Sequence, residues 1–567
     1  MVAGDTTARR RAQRQRARQP ESAVVPDHPV PLDATELRQF DVLRRFGTVG
    51  ALLVAVGSLG AGAEPVYNPI TTMSVLGMFT RLPTVALACA YAGMGMVVIA
   101  WLWLGRFVRP GRTRLLSRGQ MDRTLVMWTA PLVIVPPMFS RDVYSYLAQC
   151  KIAALGMNPY QLGPAQALGV ADPLTRGVTN IWRDTPAPYG PLFLTVCRGI
   201  TGIAGDHVVT GVILQRLLEL IGVGLIIWAL PRLARRFDVQ PVSALWLGAA
   251  NPLVLWHLVA GAHNEALMIG LMLAGFEVAI RRLPKVSPGD TPPTRSSGSA
   301  HPTPPRMSRA EIGYLLAGTV LIIFGAGVKV SALAALAFLG VMVARRLGGR
   351  IRHLAIVGVA MTAIAGVVLT VISLASGLGF GWISALGTPG LVQSWQAPTT
   401  ALGMLAGAFG VLIGLGNHTN AAVTAARLLG DLATAVLSIK LIFDAFRGRF
   451  NAMVGLGLCL GVIVICGVML QPWYVLWAAI PLAAGVGANR FRTIAAVVSA
   501  LMALISTAPT GATFSGHTFV VTDAVVAAVV VVALALFAMR RKIPIVGPLR
   551  WRRPAAVNAG DHPNAGQ

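Results

Sequence analysis

The residues that could do chemistry are concentrated in one stretch. Residues 139–206 carry Asp142, Asp172, Asp184 and Asp206 among many aromatics, prolines and glycines. The sequence there opens PPMFSRDVYSYLAQCKIAALGMNPYQLG and closes TNIWRDTPAPYGPLF. Asp142 starts a helix-compatible run to Leu155, on which Asp142, Tyr146 and Gln149 share a face by i, i+4, i+7 spacing. One carboxylate beside aromatic and amide groups suits a sugar hydroxyl, the carboxylate taking the proton and flat rings holding the pyranose. Half-burial against apolar surface is expected to raise the Asp142 pKa and make it a better base. A plainer reading stands beside this one: Ser140 or Asp142 caps the helix. Arg183 and Asp184 read as site residues or as a structural ion pair. Asn158 and Tyr160 in an Asn-Pro-Tyr turn, and Tyr189 in a Pro-Tyr-Gly turn, read as sugar contacts or as aromatics at headgroup level.

Other polar groups stand at the ends of apolar spans. They are His263-Asn264-Glu265, Lys329 in GVKVSAL, Ser394-Trp395-Gln396 and Gln471-Pro472-Trp473-Tyr474. A charged Lys329 in a tight turn beside the membrane is costly unless it meets an anion or a carboxylate. A lipid phosphate would serve, and so would snorkelling to headgroups. Within spans, Arg216 with Glu219 and Arg427 with Asp431 have the spacing of ion pairs that lower each other's burial cost. His257, His263 and His418 lack the spacing of a metal site. No phosphate-cradling glycine loop and no Asp-x-Asp is found in the basic loops. Five cysteines are too few for a disulfide framework, and a single bridge is open only between Cys150 and Cys197.

The elements that position these groups follow from composition. Of 567 residues, 55% are hydrophobic and 12% charged, about half the charge of a soluble domain, with a mean hydropathy of +0.66. Apolar runs of bilayer-crossing length recur from about 48–63 to about 522–539, giving roughly 13–14 expected spans. The segments 190–204 and 400–415 are read as re-entrant or interfacial. Lys and Arg number 48 against 22 acidic residues. With both termini in the cytoplasm, 38 of the 48 sort to that side, which is positive-inside sorting rather than a nucleic-acid surface. Residues 1–43 and 541–567 are expected to be basic cytoplasmic tails, the first of them disordered. Residues 44–540 form one membrane domain, with 139–206 as its extracytoplasmic loop and 284–309 as a Pro/Ser/Thr-rich cytoplasmic linker.

Ser140-Arg141-Asp142-Val143-Tyr144-Ser145-Tyr146, followed by Gly156-Met157-Asn158-Pro159-Tyr160, resembles the first large outer loop of glycosyltransferases with the GT-C membrane fold. More closely, the chain resembles the actinobacterial α-(1→6)-mannopyranosyltransferases of lipomannan and lipoarabinomannan synthesis. That likeness is carried by Trp182–Pro191, Asn251-Pro252-Leu253, His263-Asn264-Glu265, Ser394-Trp395 and Gln471-Pro472-Trp473-Tyr474. The resemblance implies an all-α, polytopic bundle in the cytoplasmic membrane with its active site on the extracytoplasmic side. It implies a polyprenyl-phosphate-mannose donor, a phosphatidylinositol mannoside or mannan glycolipid acceptor, and inversion at the anomeric carbon. Asp142 then matches the catalytic-loop aspartate, with Lys329 and Arg183 expected to meet phosphate. The substrate site would take in Tyr146, Gln149, Asn158, Tyr160, Asp184, Tyr189, His263, Asn264, Glu265, Trp395, Trp473 and Tyr474. No cofactor is expected to be required, although some enzymes of this fold use a divalent ion. Glu64, in AEPVYNP, is a rival base because in many relatives of the fold the aspartate follows the first span. A transporter or flippase of a lipid-linked sugar is the competing class, to which the Arg216/Glu219 and Arg427/Asp431 pairs would lend ionisable groups.

Overall fold

The computed structural model describes residues 30–285, 306–391, 393–505 and 518–540. The C-terminal tail and most of the 284–309 linker lie outside them, as does most of the N-terminal tail. What is described is helical, with one isolated bridge between Val30 and Arg114 and no strand among the described residues. The first helix begins inside the stretch expected to be disordered. Asp33 and Glu36 form a reciprocal capping box at the start of α1 (Ala34–Ala61). Ion pairs from Arg112 to Glu36 and from Arg114 to Asp33 pin that start to the turn after α2 (Pro83–Leu104). Capping satisfies orphan amides that composition alone would leave to water.

Six described helices are long and apolar enough to cross a membrane, or seven if the bent pair Val254–Ala260 and Glu265–Ile280 counts as one span. This is a multi-pass membrane protein. By length and composition fewer span candidates stand among the described residues than the roughly 13–14 expected, since several apolar stretches form shorter helices. The 124–139 run ends at Val133 in α3 (Arg118–Val133), and the 241–257 run breaks after Gly248. The 474–488 run gives an 11-residue helix, Val475–Gly485. A bilayer needs about 20 residues of straight helix. Pro191–Ala204 (α5, after α4 at Asp142–Ala154) and Pro398–Leu412 are likewise apolar and short.

The core is organised around α6 (Val208–Arg236). Arg216 on α6 is fully buried, but it does not pair with Glu219. Its guanidinium donates to the carbonyls of Val133 and Val135 at 2.9 and 2.6 Å, and to those of Val259 and Ala260 at 3.2 and 3.0 Å. These carbonyls are left over where α3 ends and where the π-helical turn Val254–Ala260 ends. Glu219, one turn on, accepts from Gln215 Nε2 at 2.8 Å and from the Leu267 backbone N–H at 3.1 Å. That amide belongs to the first turn of α7 (Glu265–Ile280), which meets the π turn at 105°. The cation therefore holds chain ends rich in carbonyls and the anion holds a helix start rich in amides, as backbone dipoles require.

Close approach fixes α7 against α6. A Cβ at Gly222 would stand 2.3 Å from the Ala266 carbonyl carbon, and one at Gly270 would stand 2.5 Å from the Gly222 oxygen. Replacing Arg216 with Met leaves four buried carbonyls without a donor. Unfolding of that variant in detergent, followed by near-UV circular dichroism, is expected to show a loss of at least about 3 kcal/mol. Arg216→Lys should recover part of it, because an ammonium reaches fewer of the four.

Candidate active site

The segment that carries Asp142 is anchored on one side and open on the other. Arg141 donates to the carbonyls of Gly177 (2.8 Å) and Glu64 (3.0 Å), and the Tyr144 hydroxyl donates to Ala63 O at 2.6 Å. These two clamp the start of α4 to the 63–64 loop, which leaves Asp142 and Tyr146 to face elsewhere. Of the two expected caps, Ser140 serves the helix start and Asp142 does not. The N-cap is Arg141 without a side-chain bond, and Ser140 Oγ accepts from the Asp142 amide at 3.0 Å. The Asp142 carboxylate is free of capping duty and 24% exposed, with Oδ2 3.4 Å from His263 Nδ1.

His263 is fully buried. Its ring lies 3.9 Å from the Trp473 ring at 30°, and Nδ1 is also 3.9 Å from Glu265 Oε2. Glu265 in turn ion-pairs with Lys329, whose ammonium lies 3.4 Å from the Tyr474 hydroxyl and 4.7 Å from that ring's centroid. Asp142, His263, Glu265 and Lys329, with Trp473 and Tyr474, thus meet from four distant parts of the chain. Tyr146 joins them by accepting from the Asn264 amide at 3.4 Å, and it packs edge-on against Tyr189 at 5.0 Å. Gln149 Oε1, both Asn264 amide atoms, Glu265 Oε2 and both nitrogens of His263 are buried with no hydrogen-bond partner. Buried polar atoms are nearly always satisfied, so such a cluster marks a place built for a polar guest.

Strain surrounds the cluster. Phe139 and Ala262 hold φ of +65° and +51°, a left-handed conformation that side-chain-bearing residues avoid. Each lies three residues or fewer before a polar group of the site and just beyond the carbonyls that Arg216 binds. Phe139 stacks on Trp256 at 5.9 Å, which fixes its turn. The Tyr189 and Lys329 loops are brought together because Gly190 has no side chain. A Cβ there would sit 2.2 Å from Gly327 O, and the Gly190 amide donates to Val328 O at 3.0 Å.

The electrostatics correct one expectation. Burial does push the Asp142 carboxyl upward, but His263, Ser140 and the Lys329 charge outweigh it, so its pKa falls below the ordinary value. Burial likewise disfavours the Lys329 cation, yet Glu265 and Tyr474 raise its pKa above the usual lysine value. Glu64, the rival base, is pushed up by burial against the opposing effects of Asn68 and Arg141, and its carboxylate accepts from Asn68 Nδ2 at 2.7 Å.

Several expected site residues serve the scaffold instead. Arg183 is not paired with Asp184. It donates to the carbonyls of Val178 (3.0 Å) and Arg176 (2.9 Å), folding its own loop. Asp184 is exposed. Asn158 accepts from the Tyr160 amide at 2.9 Å, and the Tyr160 hydroxyl donates to Tyr189 O at 2.9 Å, so both shape the turn behind Tyr189. Trp395 is 73% exposed and makes no ring contact with the cluster. Arg427 donates to Thr400 Oγ1 and Gly390 O. Cys150 and Cys197 are both free thiols, and Cys197 Sγ donates to Gln215 Oε1 at 2.8 Å.

A cavity of about 240 Å³ opens on another face of α4, lined by Leu147, Lys151, Asp172, Asp206 and His207. Lys151 bridges Asp172 and Asp206 at 3.2 and 3.1 Å, so its charges are already matched. The residue that sequence reasoning weighed only as a metal ligand is His257. It is wholly buried, unpartnered at both nitrogens, and packed 5.0 Å from Trp473 and 5.7 Å from His263. Its signal was its place six residues before His263 in NPLVLWHLVAGAHNE. Among the described residues no group of three or more His, Cys, Asp or Glu side chains is placed to hold a metal ion.

Residues 44–345 match the family described as alpha-(1->6)-mannopyranosyltransferase, N-terminal domain, and residues 399–537 match the MptB C-terminal domain. A probable alpha-(1->6)-mannopyranosyltransferase of Mycolicibacterium smegmatis is 44% identical over 91% of this chain and 91% of its own. An alpha-(1->6)-mannopyranosyltransferase of Mycobacterium tuberculosis is 42% identical over 93% and 91%. Alpha-(1->6)-mannopyranosyltransferase B of Corynebacterium glutamicum is 35% identical over 80% and 74%. A looser structural likeness is to an Archaeoglobus fulgidus oligosaccharyltransferase, with a TM-score of 0.32 and 13% identity over 77% of this chain and 53% of that one. It carries no argument about site or reaction.

The Glu265–Lys329 pair can be tested apart from any reaction. Lys329→Met strands a buried carboxylate and is expected to lower stability by about 3 kcal/mol, while the double variant with Glu265→Gln loses less than the two single variants together. Thermal unfolding of the four proteins in one detergent measures the coupling.

Proposed function

Because this chain belongs to the α-(1→6)-mannopyranosyltransferase family, we propose that it moves mannose from a polyprenyl-phosphate carrier onto a mannan acceptor borne by a phosphatidylinositol mannoside or related glycolipid. The transfer forms an α-(1→6) link of lipomannan or lipoarabinomannan. It takes place at the extracytoplasmic face of the cytoplasmic membrane, with both termini in the cytoplasm. The observation that carries this reading is the meeting of Asp142 with His263, Asn264, Glu265 and Lys329 around unpartnered buried polar atoms.

The reaction is a single displacement. The acceptor hydroxyl oxygen attacks the anomeric carbon as the bond from that carbon to the phosphate oxygen breaks, and the electron pair of that bond leaves with the phosphate. The hydroxyl proton passes to Asp142. A carboxylate kept ionised by its neighbours is ready to accept it at neutral pH. Lys329 uses its contacts with Glu265 and Tyr474 to stay charged, and its remaining N–H stabilises the departing phosphate. Asn264 and Gln149 meet sugar hydroxyls, and the Trp473 and Tyr189 rings hold the pyranose faces. A lipid-phosphate donor brings its own leaving group, so neither a nucleotide site nor a metal ion is needed in this scheme.

The transporter or flippase reading loses its basis at Arg216 and Glu219, which bind backbone groups at three helix ends. In a membrane assay with polyprenyl-phosphate-mannose and a short α-mannoside, Asp142→Asn is expected to cut transfer by about 10³-fold, with donor binding intact. Wild-type turnover in that variant would remove Asp142 from the role of base.

A further inference from the structure

Resting on the assignment of Asp142 as base, we propose that His263 is the positioning residue of the transfer. Its Nδ1–H holds Asp142 Oδ2 so that the other carboxylate oxygen faces the acceptor hydroxyl.

The ring is placed by everything except its own hydrogen bonds. It stacks 3.9 Å from Trp473, stands edge-on to His257 at 5.7 Å, and follows the left-handed residue Ala262. A Cβ at Gly261 would already lie 3.0 Å from the ring, so the backbone presses on its other side. Neither nitrogen is claimed by the scaffold, and the one that faces polar groups faces two carboxylates, Asp142 at 3.4 Å and Glu265 at 3.9 Å. A histidine wanted for packing alone would not be aimed this way, since its nitrogens would be paired with backbone. Glu265 Oε1 is taken by Lys329 and its Oε2, though unpartnered, lies farther from Nδ1 (3.9 Å) than Asp142 Oδ2 does (3.4 Å), so Asp142 is the nearer partner. Contacts that lengthen in the empty enzyme shorten when substrate closes the site, so 3.4 Å is within the reach of such a bond.

The charged and titratable groups around the ring come from every element packed on it. Asp142 from α4 faces it directly, and Tyr146 of α4, Tyr189 from its loop and Glu219 from α6 act on it through Asp142 and Glu265. His257 and Glu265 come from the segment of His263 itself, Lys329 from its turn, and Tyr474 from the 472–474 turn. Among them Asp142 is held below its ordinary pKa with His263 as the largest opposing influence to burial. Loss of the N–H therefore lets that pKa climb. Because the base works ionised, the acid limb of the rate profile must move to higher pH.

The variants are chosen to separate positioning from packing. His263→Phe keeps a flat ring against Trp473 but has no N–H, and His263→Asn loses most of the stack but places an amide N–H near the position of Nδ1. The full-length protein in detergent, with polyprenyl-phosphate-mannose and an α-mannoside, gives kcat and kcat/KM from acid to neutral pH. His263→Phe is expected to lose about 10- to 100-fold in kcat, as removal of an orienting partner does. Its acid limb should rise by about one pH unit, with the KM for donor little changed. His263→Asn should bring the limb back toward wild type. An acid limb in His263→Phe that stays where wild type has it, whether kcat falls or not, would overturn the proposal and leave the ring a packing element. Should His263→Phe fail to fold, His263→Ala takes its place, since it too lacks the N–H: a raised limb supports the proposal and an unshifted one overturns it. Asp142→Asn run alongside keeps the two readings apart. If it is dead while His263→Phe keeps the wild-type limb, only the positioning role falls. If it turns over normally, the base assignment falls first and this one with it.

Discussion

One buried guanidinium holds the site together. Arg216 reaches four carbonyls on two segments, and those segments lead directly to Asp142 on one side and to His263-Asn264-Glu265 on the other. Without it, two helix ends would finish inside an apolar bundle with unsatisfied carbonyls, at a cost of about 1–3 kcal/mol each. No hydrocarbon side chain could replace it, because the demand is for donors in a fan. The same helix carries Glu219, which meets the opposite demand at the start of α7. One turn of α6 thus ties together three helix ends that are unrelated in sequence.

The irregular backbone follows from this arrangement. A straight span through 254–280 would bury every amide in its own ladder and leave no place for a polar cluster. Instead the chain passes through a π turn, a left-handed Ala262 and a 105° bend. Non-helical backbone at this depth is tolerated where protein satisfies it or where it lines a cavity. Here Arg216 and Glu219 do the satisfying. The strain at Phe139 and Ala262, of the order of 1–3 kcal/mol each, is offset by the stacking of Phe139 on Trp256 and by the close packing of α7 on α6.

Much of this was legible in the residues. The helix from Asp142, the shared face of Asp142 and Tyr146, and the polar groups His263, Asn264, Glu265, Lys329, Trp473 and Tyr474 could all be read as candidates, because each stands at the end of an apolar run where a polar group is conspicuous. That they meet could not be read, since the contacts between segments span 64 residues or more. The errors have one cause. Spacing suggested that Arg216 pairs with Glu219 and Arg183 with Asp184, but an arginine near a chain turn finds carbonyls that no sequence pattern shows. The sign of the Asp142 shift was misjudged for the same reason. Burial was visible in the apolar flank, whereas the His263 ring opposite lay 121 positions away. The count of long apolar helices is lower than the count of apolar runs where proline and Asn-Pro divide those runs into short, protein-buried helices.

The charge arrangement explains why the pieces are coupled rather than merely adjacent. Asp142 and Glu265 are negative and Lys329 is positive, so these three carry a net −1 before the proposed transfer. When Asp142 takes the acceptor proton, the same three become neutral. At that moment the departing phosphate gains a negative charge, and Lys329, no longer shared with two carboxylates through the cluster, is the cation left to meet it. A single proton movement therefore changes the field at both ends of the reacting bond, with no charged side chain having to move. This works only if Asp142 starts ionised and stays within reach of the other two, and the contacts of His263 with both carboxylates supply that link.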